Sequence, residues 1–243
     1  MLELRGRIRR QKRFCEFRLP DGTTTESYIE PRFRGIHATR DRALRAFLAR
    51  TDRRGQRALD VACPEGYFAL TLAESFGHVT ALDKNRSSLE KARDIVRLLG
   101  SGPVEFIEGS LEHFRPGQQF DFVLCFGLLY HVENPMQIFR QLGALAQREP
   151  FVETQVLPFD LSGLVEDGSF GTQRPLRGLF GVCKDYSNSK EGGPTNTALV
   201  PSREALDYYL KESGFSRVEY FEPAAGDYEQ FVRGHRVILL AQR

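Results

Sequence analysis

The period of the apolar positions changes repeatedly along the chain, and each change marks an element. Five short apolar runs, rich in β-branched and aromatic residues, occupy 58–63 (ALDVAC), 78–83 (HVTALD), 104–109 (VEFIEG), 120–127 (FDFVLCFG) and 150–157 (PFVETQVL). Runs of this length and composition read as buried strands. Between them, apolar residues recur at helical spacing over 64–76, 86–99 and 135–147. Ser87-Ser88-Leu89-Glu90 is a capping-box pattern for the second helix. Asn134-Pro135 places an N-cap before a first-turn proline for the third. Strands alternating with helices predict a parallel sheet covered on both faces, joined by right-handed crossovers.

The flanks follow other rules. Residues 13–30 read as two short strands around Pro20-Asp21-Gly22, where proline presets φ and glycine accepts a positive one. Residues 38–51 have helical spacing. The stretch 158–200 is rich in Gly and Pro and carries Phe159, Phe170, Phe180 and Tyr186. A loop this long with interspersed aromatics predicts a packed lid. A helix resumes at Ser202 and ends near Gly214, followed by strand-like 216–222 and 235–242. The link between those two is too short for a helical crossover, so they are expected to pair antiparallel. The expected organisation is a basic hairpin and helix (1–57), a ligand-binding core (58–157), a lid insertion (158–200) and the end of the core (201–243).

Composition limits the function classes. At 243 residues, 41% of them hydrophobic, the chain can bury a sizeable core. No apolar stretch approaches the roughly 18–20 residues of a membrane span. The Arg-rich start lacks the apolar centre of a secretory signal. Cys15, Cys63, Cys125 and Cys183 form no Cys-x-x-Cys pair, so no metal site is expected and reduced thiols in a cytoplasm are the simplest reading. Net charge is +2, yet residues 1–57 hold 16 Lys and Arg against 7 Asp and Glu. That basic excess suits a phosphate, a nucleic acid or an acidic metabolite, or is simply a solvated face.

Candidate chemistry gathers after the first predicted strand. Asp60-Val61-Ala62-Cys63-Pro64-Glu65-Gly66 lies where a nucleotide-binding protein places a glycine-rich turn, and Asp83 ends the next strand. An acid there can accept hydrogen bonds from both hydroxyls of a ribose. Gly-x-Gly-x-x-Gly is absent, which argues against a dinucleotide. An acidic, carbonyl-rich turn suits an ammonium better than a diphosphate.

Taken together, LDVACPEGYFALTLAE, VTALDKN, VEFIEGSLEHF and FDFVLCFGLLYHVENP resemble the motif series of class I S-adenosylmethionine-dependent methyltransferases. The resemblance implies an α/β, Rossmann-like sheet of seven strands, mostly parallel with the last antiparallel. S-adenosyl-L-methionine is the implied cofactor. It implies a methionine-binding turn at Asp60, Ala62, Cys63, Glu65 and Gly66, a ribose acid at Asp83 beside Lys84, and an adenine edge at Ser110 and Leu111. Phe126 and Gly127 would lie beside the methyl group, with Tyr130 and His131 as candidate catalytic residues. Glu153 and Gln155 alternate onto one face of strand five and are candidate substrate contacts. Ala62 and Pro64 stand where the family has glycine; alanine fits if its φ is negative. More distantly, FRLPDGTTTESY and TALVPSREALDYYLKESGF resemble enzymes related to the tRNA wobble-uridine carboxymethyltransferase. A small-molecule acceptor is therefore expected, tRNA is the alternative acceptor, and a non-catalytic sensor or scaffold is the alternative of another class.

Overall fold

A computed structural model describes residues 2–100, 102–167, 172–185 and 196–243. Its centre is a seven-stranded sheet in the order Arg217–Tyr220, Arg236–Gln242, Ala146–Gln155, Phe120–Phe126, Arg53–Val61, Phe76–Asp83, Val104–Glu108. The strands are β1 (Arg53–Val61), β2 (Phe76–Asp83), β3 (Val104–Glu108), β4 (Phe120–Phe126), β5 (Ala146–Gln155), β10 (Arg217–Tyr220) and β11 (Arg236–Gln242). The first five pair in parallel, whereas β11 runs antiparallel to both β5 and β10. The alternating pattern predicted the parallel part of this sheet, and the resemblance implied the seven strands with the last antiparallel.

Helices cover both faces. Gly35–Leu48 (α2), Tyr67–Ala73 (α3) and Arg86–Leu99 (α4) share one face, and Pro135–Leu145 (α5) and Arg203–Glu212 (α6) the other. Each face carries its own buried cluster, which is why β1 and β4 are almost continuously apolar near their carboxyl ends. A short helix α7, Glu229–Val232, precedes β11. The order of strands reverses between β1 and β4, where Val61 stands in register with Cys125. Neighbouring strands leave the sheet in opposite directions there, so a crevice opens at their carboxyl ends.

Local signals held in places and failed in others. Asn134 caps α5 as expected, its side chain accepting from the Gln137 N–H at 3.2 Å. The cap of α4 is Asn85, which accepts from the Ser88 N–H, rather than the Ser87 pattern. Residues 13–30 turn at Leu19–Thr23 as predicted, but the two arms meet only at isolated bridges, Arg13 to Ser27 and Arg18 to Thr24. Their alternation is nevertheless strand-like, burying Cys15, Phe17 and Leu19. Before them lies an unpredicted helix, α1 (Leu2–Arg10), which packs Ile8 against Ile95 and Leu98 of α4. Leu4 and Ile8 are four apart, a helical signal hidden by the surrounding arginines.

The insertion is not one loop. It contains two antiparallel ribbons, β6 (Ser162–Asp167) with β7 (Thr172–Arg177), and β8 (Phe180–Lys184) with β9 (Thr197–Pro201). Leu199 N–H donates to the Val132 carbonyl at 3.2 Å, fastening the second ribbon to the loop after β4. Phe170 and Tyr186 lie outside the described residues. Among the described residues, no helix is long and apolar enough to cross a membrane.

Candidate functional site

The turn after β1 adopts a conformation its sequence disfavours. Ala62 has φ 53°, Glu65 φ 60° and Gly66 φ 76°. The condition under which alanine fits this position, a negative φ, is therefore not met. A left-handed residue other than glycine costs roughly 1–2 kcal/mol, so the surroundings must impose the turn. At Glu65 they do so visibly. Its carboxylate is buried, accepting from the Phe14 N–H at 2.8 Å and the Lys91 ammonium at 2.9 Å. Gly66 is needed for packing: a Cβ there would stand 2.9 Å from the Ala92 Cβ and 3.2 Å from Phe106. Ala62→Gly should therefore stabilise the fold by up to about 1 kcal/mol, the relief of strain less the added freedom of the unfolded chain. Denaturant unfolding at constant slope measures this; a loss of stability would show Ala62 to be unstrained.

Beyond this turn a shallow cleft opens along the ends of β1, β2 and β3. Leu111, Leu128, Val132 and Ile138 give it an apolar lining, and Asp83, Lys84, Ser110 and Glu112 supply its polar groups. Asp83 is 2% exposed. Its Oδ1 accepts from the Asn85 N–H at 2.7 Å, whereas Oδ2 has no partner among the described residues. Burial raises its pKa against the opposing pull of that N–H and of Lys84. Asp60 lies behind the turn, also buried with Oδ2 unmatched, and burial together with the Asp83 charge pushes its pKa well above the ordinary range. Two neighbouring buried carboxyl groups, each with an unmatched oxygen, await donors.

The structure therefore gathers Ala62, Asp83, Lys84, Ser110 and Leu111 on one cleft. It turns Glu65 and Gly66 into the packing, and Cys63 is buried. Phe126 is a core residue, 5.3 Å from Phe68 and 5.5 Å from Phe151 by ring centres. Gly127 follows it with φ 78°, and its N–H donates to the Glu153 carbonyl at 3.1 Å. Gln155 ends β5 opposite Arg236.

Glu153 is fully buried and bridges two guanidinium groups, Arg40 of α2 and, at 2.6 Å, Arg236 of β11. Burial pushes its pKa up, but the two arginines outweigh this and hold it below the ordinary glutamate range. Both oxygens of Glu153, a candidate substrate contact, are engaged within the protein. Tyr130 lies over this group, with the Arg236 guanidinium 4.6 Å from its ring centre and the Arg40 Nη2 3.4 Å from its hydroxyl. His131 Nδ1 lies 2.8 Å from Asp185 Oδ2, in the insertion. Burial lowers its pKa despite that carboxylate, so the ring is neutral at pH 7.

Sequence reasoning missed Arg40, Arg236 and Asp185. Only Arg40 had a signal, since it shares a helical stripe with Ala43, Leu44 and Phe47. It also missed a second cleft, about 730 Å³ with its open mouth, between the N-terminal arm and Tyr130.

A family model described as a methyltransferase domain matches residues 52–152, the span that carries β1 to β5 and the first cleft. Over that span the chain carries a methyltransferase domain. The domain has curated relatives. The chain is 30% identical over 123 residues to the ubiquinone biosynthesis O-methyltransferase of Vibrio vulnificus, covering 49% of this chain and 52% of that one. The chain thus spans about half the length of that relative. It is 28% identical over 186 residues to the demethylmenaquinone methyltransferase of Listeria monocytogenes, covering 71% and 75%. Among solved structures, the methyltransferase fold is shared with the N-terminal domain of EvdMO1, crystallised with SAH and D-fucose. The TM-score is 0.70 at 18% identity, covering 99% of this chain and 95% of that one. It is shared with the magnesium protoporphyrin IX methyltransferase of Synechocystis PCC 6803 at a TM-score of 0.58 and 15% identity, covering 90% of each.

Proposed function

We propose that the chain transfers a methyl group from S-adenosyl-L-methionine to a small-molecule acceptor. The observation that carries this reading is the unmatched carboxylate oxygen of Asp83, a residue that lines an apolar cleft at the carboxyl ends of the strands. Two ribose hydroxyls supply the donors that Asp83 lacks. The cleft's apolar lining suits a purine, with Ser110 and Leu111 at its edge. Asp60, behind the turn, favours the ammonium of the methionine end. When bound, the sulfonium supplies an electrophilic methyl. The residues after β4 then position the acceptor, and in an in-line displacement positioning carries much of the rate.

The small acceptor is supported by how the basic N-terminal segment spends its charge. Arg7 pairs with Asp94, Arg34 with Glu16, Arg42 with Asp227, and Arg45 with Asp41 and Glu74. Arginines so engaged offer little to a tRNA backbone. Calorimetry with S-adenosylmethionine and S-adenosylhomocysteine tests the reading: saturable binding of both is expected, and a folded chain that binds neither overturns it.

The His131–Asp185 contact ties the loop after β4 to the insertion, which favours a latch over a proton acceptor. His131→Ala should cost about 1.5–3 kcal/mol of stability, the range for a hydrogen bond to a charged group. The pH dependence of turnover should keep its shape. A stable variant whose turnover falls by roughly 10²–10⁴ would instead make His131 the general base.

A further inference from the structure

The second cleft holds two buried polar groups that the protein leaves unmatched. It is walled by Phe14, Tyr28, Phe33 and Tyr130, with His37 and Arg40 on its inner side. Arg40 is 5% exposed, and its Nε has no partner among the described residues. His37 likewise has a buried Nδ1 without a partner. Its ring packs edge-on against Phe14, with centres 4.5 Å apart. Burial first, then Arg40, push the His37 pKa down to about 3, against the pull of Glu153, so the imidazole is neutral. Two guanidinium groups share the single carboxylate of Glu153, so the buried group carries a net positive charge. The one acid lining the cleft, Glu30, is surface-exposed and paired with Arg32 at 2.8 Å.

We propose that this cleft binds the methyl acceptor, and that the acceptor is a planar aromatic compound carrying both a hydroxyl and an anionic group. The proposal rests on the methyltransferase reading and names the substrate class for it. Aromatic walls select a flat ring. The surplus charge at Arg40 selects an anion, and the unmatched Nε gives it a directed donor. A neutral imidazole needs a partner that suits either tautomer, and a hydroxyl both donates and accepts. The cavity volume, about 370 Å³, is within the usual range for small-molecule sites.

Position links this cleft to the first. A Cβ on Gly127 would meet the Arg40 Nη2 at 2.8 Å and the Tyr130 hydroxyl at 3.3 Å, so both groups sit directly on the residue that follows β4. Within the same loop, Leu128 and Val132 line the first cleft and Tyr130 the second. The loop borders both clefts, so an acceptor in the second lies against the same segment as a methyl donor in the first.

The test is calorimetric, using 3-hydroxybenzoate, phenol and benzoate as probes on the full chain, with and without S-adenosylhomocysteine. Phenol lacks the anionic group and benzoate lacks the hydroxyl. We expect 3-hydroxybenzoate to bind at least about tenfold more tightly than either. Phe33→Ala and His37→Leu should each weaken it about fivefold or more. Phe33 is 39% exposed, so its variant tests the wall without disturbing the core. Equal affinity for the three probes, no binding of 3-hydroxybenzoate at millimolar concentration, or unchanged affinity in both variants overturns the proposal. Binding of 3-hydroxybenzoate with this selectivity by a chain that fails to bind S-adenosylhomocysteine would uphold the cleft and refute the methyltransferase reading instead.

Discussion

Glu153→Ala should lower the free energy of unfolding by about 3–5 kcal/mol, the range for breaking a buried ion pair by removing one partner. The cause is what remains. Arg40 and Arg236 are 5% exposed, and without Glu153 two positive groups face one another away from water. Glu153→Gln should cost nearly as much, because it keeps the shape and removes the charge. Adding Arg40→Met to Glu153→Ala should recover part of the loss, since it deletes one of the stranded charges. The acid limb follows from the same contacts. The folded carboxyl has a pKa below its unfolded value of about 4.3. Its contribution is therefore complete above that value and disappears as pH falls through the depressed folded one. Urea unfolding of the three variants at pH 7 is the measurement. A loss under about 1 kcal/mol for Glu153→Ala would mean that the arginines reach solvent and the group is not buried as described.

Asp83→Ala should weaken S-adenosylhomocysteine binding by about 1.5–3 kcal/mol for each ribose hydrogen bond lost. A single such bond is already a factor of ten to over a hundred. The fold should be indifferent or slightly stabilised. Asp83 is buried with its pKa raised, so ionising it opposes folding, and α4 keeps its own cap at Asn85. Losing affinity while keeping stability separates a ligand-binding residue from a structural one. Calorimetry gives the first quantity and thermal unfolding of the free protein the second. Unchanged affinity in a folded variant removes Asp83 from the cofactor's partners.

Both predictions show where sequence reading stops. The strands and helices of 58–157 were legible because each is set by a short run: Asp83 closes an apolar stretch, and Asn134-Pro135 opens a helix. The cleft at Asp83, Ser110 and Leu111 followed, since strand ends in an alternating pattern converge on one edge. Glu153 read as a candidate substrate contact on one face of β5 and not as an ion-pair centre, because its partners lie 113 and 83 residues away and no local pattern announces them. The second cleft was hidden for a similar reason. Its walls come from the N-terminal arm and from the loop after β4, and only folding brings them together. At Ala62 the local rule itself misled, because surrounding contacts hold a conformation that propensity alone disfavours.

The grip of Glu65 on the Phe14 N–H bears on where this chain can be cut. The family match begins at residue 52, yet the bend that shapes its first turn is braced by backbone at residue 14. A fragment starting at residue 52 would keep every strand of the matched region and lose that brace, the Arg40 partner of Glu153 and the outer wall of the second cleft. The first fifty residues are accordingly part of the skeleton of the matched domain, and grafting the matched segment alone onto another protein would transplant a fold without the brace of its first turn.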